Sequence, residues 1–340
     1  MHALFGDWND ALDGLGKTDS KDSEVGTGVS VMATEQLYLS LEQMIEILEY
    51  SGMYPELQEK YRKVSNKVAE AFRKYAVDTS GGKSRIIHGW GDKRKYLVGS
   101  FNDYDGRERL SLTSNSFFAI SGLCNEFPEL KCDIVQNIIS LDSKYGLLTF
   151  DEAFDGYAPE VGRISNITPG TFENKCVYVH GSTFGVMALF AMGEAEKAWE
   201  MLEKAAVITH DNATKTTFVM PNSYCYSEKI YSDGDSMSDW YTGSGTVLVK
   251  GLIKHALGIY PVPSGLWLSI PTYMPCDKAD VSIHIKGVNV NISYLHASKD
   301  KNITINGMKA ELVHDDISET FKTYISNEKL ISDCCITVEM

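Results

Sequence analysis

Paired amphipathic helices, separated by long loops rich in glycine and aromatic residues, limit most strongly how this chain can fold. Apolar residues recur at intervals of three and four after Thr34, and Gly52 stands where the first helix should end. Pro55 opens a second apolar stripe that continues to Tyr75. Two such helices joined by a few residues form a helical hairpin. The sequence therefore predicts a mainly α-helical fold assembled from hairpins.

Similar patterns recur further along the chain and add five helices to the first two. These helices are predicted over 113–125, 131–141, 182–192, 195–207 and 244–257. Loops longer than roughly 15 residues are uncommon unless they are functional. Three such loops separate the predicted helices: 86–110, 143–178 and 208–241.

Hairpins that surround a cleft, with loops at one end building a site, are typical of an α/α toroid. A complete ring of six hairpins needs twelve helices, and this sequence predicts seven. Residues 1–258 are therefore predicted to form part of an (α/α)6 barrel, also called a six-hairpin toroid.

The hydrophobic pattern changes after Gly258. Residues 281–285 and 288–292 alternate between apolar and polar with a period of two, which is typical of strands. Residues 301–307 have the pattern of a strand that runs into a turn. Residues 259–340 are therefore predicted to form a small β-rich module.

Charge and composition exclude some classes of partner. A net charge of −14 leaves no basic surface for the phosphates of a nucleic acid. No uncharged apolar run approaches the roughly 18 residues of a membrane helix, and the first residues lack the pattern of a signal peptide. The seven cysteines are odd in number and scattered, which favours free thiols in a reducing compartment over a metal site. We therefore expect a cytoplasmic protein that binds neither metal nor membrane.

The first residues carry a cluster of acidic, aromatic and amide side chains, Asp7-Trp8-Asn9-Asp10. Termini usually fray and carry little chemistry. Cleavage of a glycosidic bond requires a carboxylic acid to protonate the leaving oxygen, with an aromatic or amide group nearby to hold the sugar. A solvated Asx turn explains the same residues. A calcium loop does not fit, because Ala11 occupies a position where the pattern requires an oxygen ligand.

A second candidate segment, 169–174, reads Pro-Gly-Thr-Phe-Glu-Asn and is followed by a histidine, His180. His180 precedes the helix predicted at 182–192. A helix N-terminus offers free backbone N–H groups and the positive end of the helix dipole, which together favour an anion. A histidine at this position is also typical of a cap or a packing residue.

The third segment, 238–246, reads Ser-Asp-Trp-Tyr-Thr-Gly-Ser-Gly-Thr and leads into the last predicted helix. Glycines and hydroxyl groups at a helix start can hold phosphate through backbone N–H groups. The P-loop template is excluded because no Gly-Lys-Ser/Thr follows at the required spacing. Two candidate anion sites and one acidic cluster are more informative together than any one of them alone.

These three segments occur in the same order in glycoside hydrolase family 94, which the chain resembles over essentially its whole length. That family contains cellobiose, cellodextrin, chitobiose and oligo-β-1,2-glucan phosphorylases, and the phosphorylase-like region of cyclic β-1,2-glucan synthases. The resemblance implies an (α/α)6 barrel between a large N-terminal β-sandwich and a small C-terminal β module. It also implies a hexosyl-transferring phosphorylase that acts on β-linked oligosaccharides with inversion, needs no cofactor and uses inorganic phosphate as co-substrate.

The resemblance assigns roles to individual residues. Asp10 corresponds to the general acid of the family. The residues implied in substrate binding are Trp8, Asn9 and Glu173. The residues implied in phosphate binding are His180, Thr242 and Gly243. An inverting hydrolase needs a second carboxylate to deprotonate water, whereas phosphate is already an anionic nucleophile. One protonated acid opposite a phosphate pocket is therefore sufficient.

Two departures from the family pattern remain. Lys175 stands where relatives often have glycine, and family members are several hundred residues longer than this chain. The resemblance therefore implies that the β-sandwich and the first barrel helices lie outside this sequence, and that the isolated chain has little activity. A homodimer is the other assembly that the family suggests. A glycoside hydrolase on the same fold and an inactive carbohydrate-binding remnant are alternatives, and the donor sugar and linkage stay open.

Overall fold

A computed structural model of the chain describes residues 1–206, 220–227, 229, 232–238, 243–296, 301–330 and 333–340. The described residues form eight α-helices and then a β-rich segment that begins at Ile259. The helices are α1 (Val31–Ser51), α2 (Pro55–Tyr75), α3 (Leu112–Ile120), α4 (Leu123–Glu126), α5 (Lys131–Ser140), α6 (Val179–Ala191), α7 (Ala195–Ala205) and α8 (Ser244–Gly251).

The predicted first hairpin is confirmed, and its ends have local causes. The Ser30 hydroxyl oxygen accepts a hydrogen bond from the backbone N–H of Ala33 at 3.1 Å, which caps the start of α1. Gly52 ends α1 with a φ of 66°, a left-handed conformation that glycine adopts without strain. Pro55 occupies the first turn of α2, where its missing N–H costs nothing. The two helices then pack along each other.

Other helix boundaries differ from the sequence prediction. The helix predicted over 113–125 is broken at Gly122, whose φ of 90° separates α3 from α4. The helix predicted over 244–257 is regular only to Gly251 and continues as one π-helical turn, Leu252–Ala256. The helix α6 begins three residues before position 182, so His180 lies in its first turn.

Helices α3 and α6 form the centre of the helical part. Eight of the nine residues of α3 and eleven of the thirteen residues of α6 are buried. Helices α1, α5, α7 and α8 pack around this pair. This layering agrees with an (α/α)6 barrel, although the described helices do not close a ring.

The long loops are held by short strands. These are β1 (Val29–Ser30), β2 (Val77–Asp78), β3 (Arg85–Ile86), β4 (Gly89–Trp90), β5 (Leu97–Val98), β6 (Asp142–Ser143), β7 (Gly146–Leu147), β8 (Val177–Tyr178), β9 (Ser223–Tyr224) and β10 (Ser236–Met237). Two three-stranded sheets, ordered β1-β4-β5 and β10-β9-β8, join distant loops beside the N-termini of α1 and α6.

The C-terminal segment consists of two sheets. Its strands are β11 (Ile259–Val262), β12 (Gly265–Ser269), β13 (Lys278–Ile285), β14 (Val288–Leu295), β15 (Asn302–Ile305), β16 (Met308–Lys309), β17 (Val313–Asp315), β18 (Thr320–Ser326) and β19 (Cys334–Glu339). The sheets are ordered β11-β12-β18-β17 and β13-β14-β19-β15-β16, and β14 and β19 run parallel with Val290 opposite Cys334. The two sheets share one apolar core, and Ile317 joins the helical core.

Two further features concern the whole chain. All seven cysteines are free thiols, and four of them are buried. Within the described ranges, no helix combines the length and the apolar character that crossing a membrane requires.

Candidate active site

Asp10 begins a short 3-10 turn and projects into solvent, with 67% of its side chain exposed. The guanidinium of Arg163 lies 2.8 Å from its Oδ2 and also donates to the Asp10 carbonyl oxygen at 3.0 Å. Arg163 comes from the long loop that precedes α6, and no sequence motif pointed to it. An acidic and a basic group are therefore paired at the candidate site.

The position of Arg163 is fixed by close packing between two loops. Its backbone N–H donates to Oδ1 of Asp13 at 2.9 Å. Gly14 and Gly162 approach so closely that a Cβ at Gly14 would lie 2.4 Å from the Gly162 nitrogen. Glycine at both positions therefore allows the acid-bearing loop, residues 6–13, to rest against the loop that carries Arg163.

Glu173 lies within electrostatic reach of Asp10. Burial raises the pKa of Glu173, and the charge of Asp10 raises it further, while Arg163 opposes the shift. The neighbouring side chain of Asn174 is fully buried and donates to the carbonyl oxygens of Phe154 and Ile167 at 2.7 and 2.8 Å. Asn174 thus anchors the loop that presents Glu173, a role that the sequence motif did not reveal.

Trp8 connects the acid-bearing loop to the start of α6. Its indole N–H donates to Nδ1 of His180 at 3.0 Å. Its ring also packs edge-on against Tyr178 and Phe184, with centroids 5.0 and 5.9 Å apart. A Cβ at Gly181 would lie 2.9 Å from the indole, so glycine there makes room for Trp8. The two motifs therefore meet in space although they are far apart in sequence.

His180 is a neutral hydrogen-bond donor in this arrangement. Burial lowers the pKa of His180 below its ordinary value, which favours the uncharged ring. An indole N–H can only donate, so Nδ1 is the acceptor and Nε2 carries the ring proton. A Cβ at Gly243 would lie 3.9 Å from that Nε2. The ring edge formed by Cε1 and Nε2 therefore lies near the residue that precedes α8.

The remaining candidate residues differ in what the structure shows of them. Gly243 is the N-cap of α8 and is exposed. Thr242 lies outside the described residues. The Asn9 side chain is 1% exposed, and its amide atoms have no hydrogen-bond partner among the described residues. The described part of the chain also contains no group of three or more His, Cys, Asp or Glu side chains that could hold a metal ion.

Comparison with protein families matches most of the chain to one family. The model of the glycosyl hydrolase 94 superfamily catalytic domain matches residues 1–258. That range contains the acid-bearing loop, Glu173, His180 and the N-terminus of α8.

Comparison with curated proteins gives phosphorylases and a glucan synthase. Solabiose phosphorylase of Paenibacillus borealis is 26% identical over 309 residues, which cover 89% of this chain and 38% of that protein. The 3-O-beta-D-glucopyranosyl-beta-D-glucuronide phosphorylase of the same organism is 28% identical over 279 residues, or 81% of this chain and 33% of that protein. Cyclic beta-(1,2)-glucan synthase NdvB of Rhizobium meliloti is 22% identical over 322 residues, or 92% of this chain and 11% of that protein.

The chain thus spans less than two fifths of the length of each of these relatives. A solved structure titled sialidase superposes with a TM-score of 0.60 at 11% identity, covering 92% of this chain and 28% of that chain. At this identity the likeness concerns the fold alone.

Proposed function

The chain belongs to the glycosyl hydrolase 94 superfamily, and on this premise we propose that it is the acid- and phosphate-binding part of an inverting β-glycoside phosphorylase. The enzyme cleaves a β-linked oligosaccharide with inorganic phosphate as nucleophile. Its products are an α-sugar-1-phosphate and a shortened acceptor. The name of one similar protein, 3-O-beta-D-glucopyranosyl-beta-D-glucuronide phosphorylase, supports a β-glucoside as the substrate class.

The observation that carries the proposal is the hydrogen bond between Trp8 and His180. It joins the loop of the candidate acid to the helix start of the candidate phosphate site. Because Nδ1 of His180 accepts the hydrogen bond from Trp8, the ring proton is on Nε2, and this N–H group can donate to a phosphate oxygen beside Gly243. The N-terminus of α8 and Thr242 complete the proposed pocket with backbone and hydroxyl donors.

In the proposed reaction, an oxygen of phosphate attacks the anomeric carbon while the bond to the glycosidic oxygen breaks. Asp10 transfers its proton to that leaving oxygen. Because the guanidinium of Arg163 lies 2.8 Å from Oδ2 of Asp10, Arg163 is proposed to move aside when the leaving oxygen approaches that carboxyl oxygen. The exposed position of Arg163 permits this movement.

Trp8 and Glu173 are proposed to bind the sugar. Trp8 offers an aromatic face, and a carboxyl group such as that of Glu173 can exchange hydrogen bonds with sugar hydroxyls. Asn9 is also assigned to the substrate site by the family resemblance. Because its side chain is buried, we expect Asn9 to shape the loop rather than to touch the sugar.

We also propose that the active enzyme includes more of the barrel than this chain. The chain covers only part of its relatives, and several of its apolar side chains are exposed. Phe5 is 84% exposed and Leu4 is 50% exposed. An apolar groove of about 800 Å³ runs beside Val249 and Ile253, between α8 and β11. Further barrel helices would cover these surfaces; a second copy of the chain is the alternative.

The experiment is an assay on β-gluco-oligosaccharides with and without phosphate, using the longer enzyme that we propose to contain this chain. Phosphate-dependent release of sugar-1-phosphate is expected, and Asp10→Asn should lower kcat about 10²- to 10⁴-fold, the usual contribution of a general acid. An exposed control, Asp22→Asn, should have no effect.

Two outcomes would overturn the proposal. Turnover without phosphate would indicate a hydrolase, with Glu173 as the second carboxyl group that such an enzyme needs. Sugar binding without turnover, unchanged in Asp10→Asn, would indicate an inactive carbohydrate-binding remnant.

A further inference from the structure

The loop that bears Trp8 and Asp10 has little regular structure of its own. Only the 3-10 turn Asp10–Leu12 is regular, and the loop lies at the exposed side of the candidate site. A general acid must nevertheless be held close to its productive geometry, since a misplacement of about 1 Å costs on the order of 10²-fold in rate. The contacts that hold this loop are therefore important for the proposed reaction.

Asp7 is the residue that fastens the loop. Its side chain is 4% exposed. Oδ1 accepts a hydrogen bond from the backbone N–H of Asn9 at 2.7 Å, and Oδ2 accepts one from the Ser30 hydroxyl at 2.6 Å. The first bond sets the backbone between Trp8 and Asp10, and the second ties it to the residue that caps α1.

His88 lies behind Asp7 and is also buried. Its Nε2 is 3.1 Å from Oδ2 of Asp7, and its Nδ1 forms a 3.0 Å hydrogen bond with the Ser111 hydroxyl at the start of α3. Its own backbone is fixed as well, because its N–H donates to Val98 and its carbonyl accepts from Val31. The imidazole therefore joins the acid-bearing loop to the start of α3, and the backbone of His88 contacts the start of α1.

The lowered pKa of Asp7 agrees with a specific pairing of Asp7 with His88. Burial alone would raise the pKa of Asp7, but the His88 ring and the hydrogen bonds from Ser30 and Asn9 hold it below its ordinary value. A buried polar pair contributes little net stability compared with apolar packing of the same volume. The pair therefore gives orientation more than stability.

Resting on the proposed function, in which Asp10 is the acid, we propose that His88 is a positioning residue that orients Asp10 through the carboxylate of Asp7. His88 touches neither sugar nor phosphate. It sets the direction of the Asp7 carboxylate, which in turn sets the backbone that carries Trp8 and Asp10.

The test uses two replacements of His88. In His88→Gln the side-chain amide nitrogen can take the place of Nε2 beside the Asp7 carboxylate, whereas in His88→Phe the ring volume is kept and both nitrogens are lost. His255→Gln, a buried histidine that does not contact the loop, is the matched control. Each variant is prepared in the 340-residue chain with ¹⁵N-labelled tryptophan, and the indole N–H signal of Trp8 is assigned with Trp8→Phe.

We expect His88→Phe to shift or broaden the Trp8 indole signal while His88→Gln and His255→Gln leave it in place. In the phosphorylase assay described above, His88→Phe should lower kcat on the order of 10²-fold with KM changed less than threefold. His88→Gln should recover most of that loss. A purely structural role would lower the midpoint of unfolding without this separation of kcat from KM.

The outcomes separate this inference from the proposed function. An unchanged Trp8 signal and normal kcat in His88→Phe, with Asp10→Asn inactive, would overturn the positioning role alone. Full activity of Asp10→Asn would overturn the proposed function itself. A displaced Trp8 signal in both His88→Phe and His88→Gln would show that ring shape rather than the bond to Asp7 is required, and would also overturn the inference.

Discussion

At the scale of single residues, Glu173 combines a proposed sugar-binding position with an unfavourable environment. Burial and the charge of Asp10 raise its pKa. A carboxyl group with a raised pKa binds protons more readily in the folded state, so its contribution to stability is present below the unfolded pKa and is lost as the pH rises through the folded value. Glu173 therefore destabilises the fold at neutral pH, which is a common property of residues kept for function.

Replacing Glu173 with Gln should separate its effect on stability from its proposed role in sugar binding. We expect Glu173→Gln to be more stable than the parent chain at pH 7 and equally stable below pH 4, as measured by urea unfolding at both pH values. Sugar binding should weaken about tenfold or more, because a hydrogen bond to a charged group is lost. A variant that is less stable at pH 7, or that binds sugar normally, would show that the carboxylate is a structural group.

At the scale of elements, the start of α6 is shaped to receive Trp8. Gly181→Ala adds a methyl group 2.9 Å from the indole, and we expect it to displace Trp8 and break the bond to His180. Alanine otherwise favours a helix by up to about 1 kcal/mol over glycine. The matched control is Gly245→Ala in the first turn of α8, where an added Cβ meets no atom within 4 Å.

The variants Gly181→Ala and Gly245→Ala should differ in the Trp8 indole signal. Gly245→Ala should raise the unfolding midpoint slightly and leave the Trp8 indole signal in place. Gly181→Ala should shift that signal and weaken phosphate binding measured by calorimetry. If Gly181→Ala binds phosphate like the parent chain, the contact between Trp8 and His180 is not needed for the phosphate pocket.

The turn after α8 contains a second buried histidine with a pH-dependent effect. Burial, together with the charges of Lys254 and Lys250, lowers the pKa of His255 to about 3. A histidine with a lowered pKa is protonated more easily when unfolded, so stability falls as the pH drops from about 6.5 toward the folded value, by up to about 1.4 kcal/mol per pH unit.

His255→Gln should remove this sensitivity. Between pH 7 and pH 5, the parent chain should lose about 2 kcal/mol relative to the variant, as measured by urea unfolding at each pH. Parallel loss in both proteins would mean that His255 is protonated in the fold or reaches solvent through local opening.

The elements also show which parts of the structure the sequence could predict. The first hairpin followed from apolar spacing, Gly52 and Pro55, because these are local signals. The break at Gly122 was missed because an isolated glycine inside a helical pattern is often tolerated.

The site residues His88 and Arg163 could not be predicted from local patterns. The partner of His88 is Asp7, 81 residues away along the chain, and the partner of Arg163 is Asp10, 153 residues away. The pairing of Trp8 with His180 was anticipated only as a shared family site.

At the scale of the whole molecule, the helical part combines a buried centre with exposed apolar side chains on α1 and α8. The α3–α6 pair is buried, whereas Met44 and Ile47 on α1 are 42% and 49% exposed. Val249, beside the groove between α8 and β11, is 56% exposed. Clusters of exposed apolar side chains are typical of an interface. If further barrel helices cover these side chains in the active enzyme, the isolated chain should seek other partners for the same surface.

We therefore expect the isolated 340-residue chain to self-associate as its concentration rises, to bind a hydrophobic dye, and to show little phosphorolysis. Light scattering after size exclusion should give a mass that increases with concentration.

The double variant Met44→Glu/Ile47→Lys should reduce association because it places charges on the apolar face of α1. Lys67→Glu, on the exposed face of α2, is the control and should not. A missing barrel segment supplied in trans should compete with self-association and restore activity, because both use one surface. A monomeric chain with full phosphorolysis would contradict this expectation and would mean that the described helices already form a complete site.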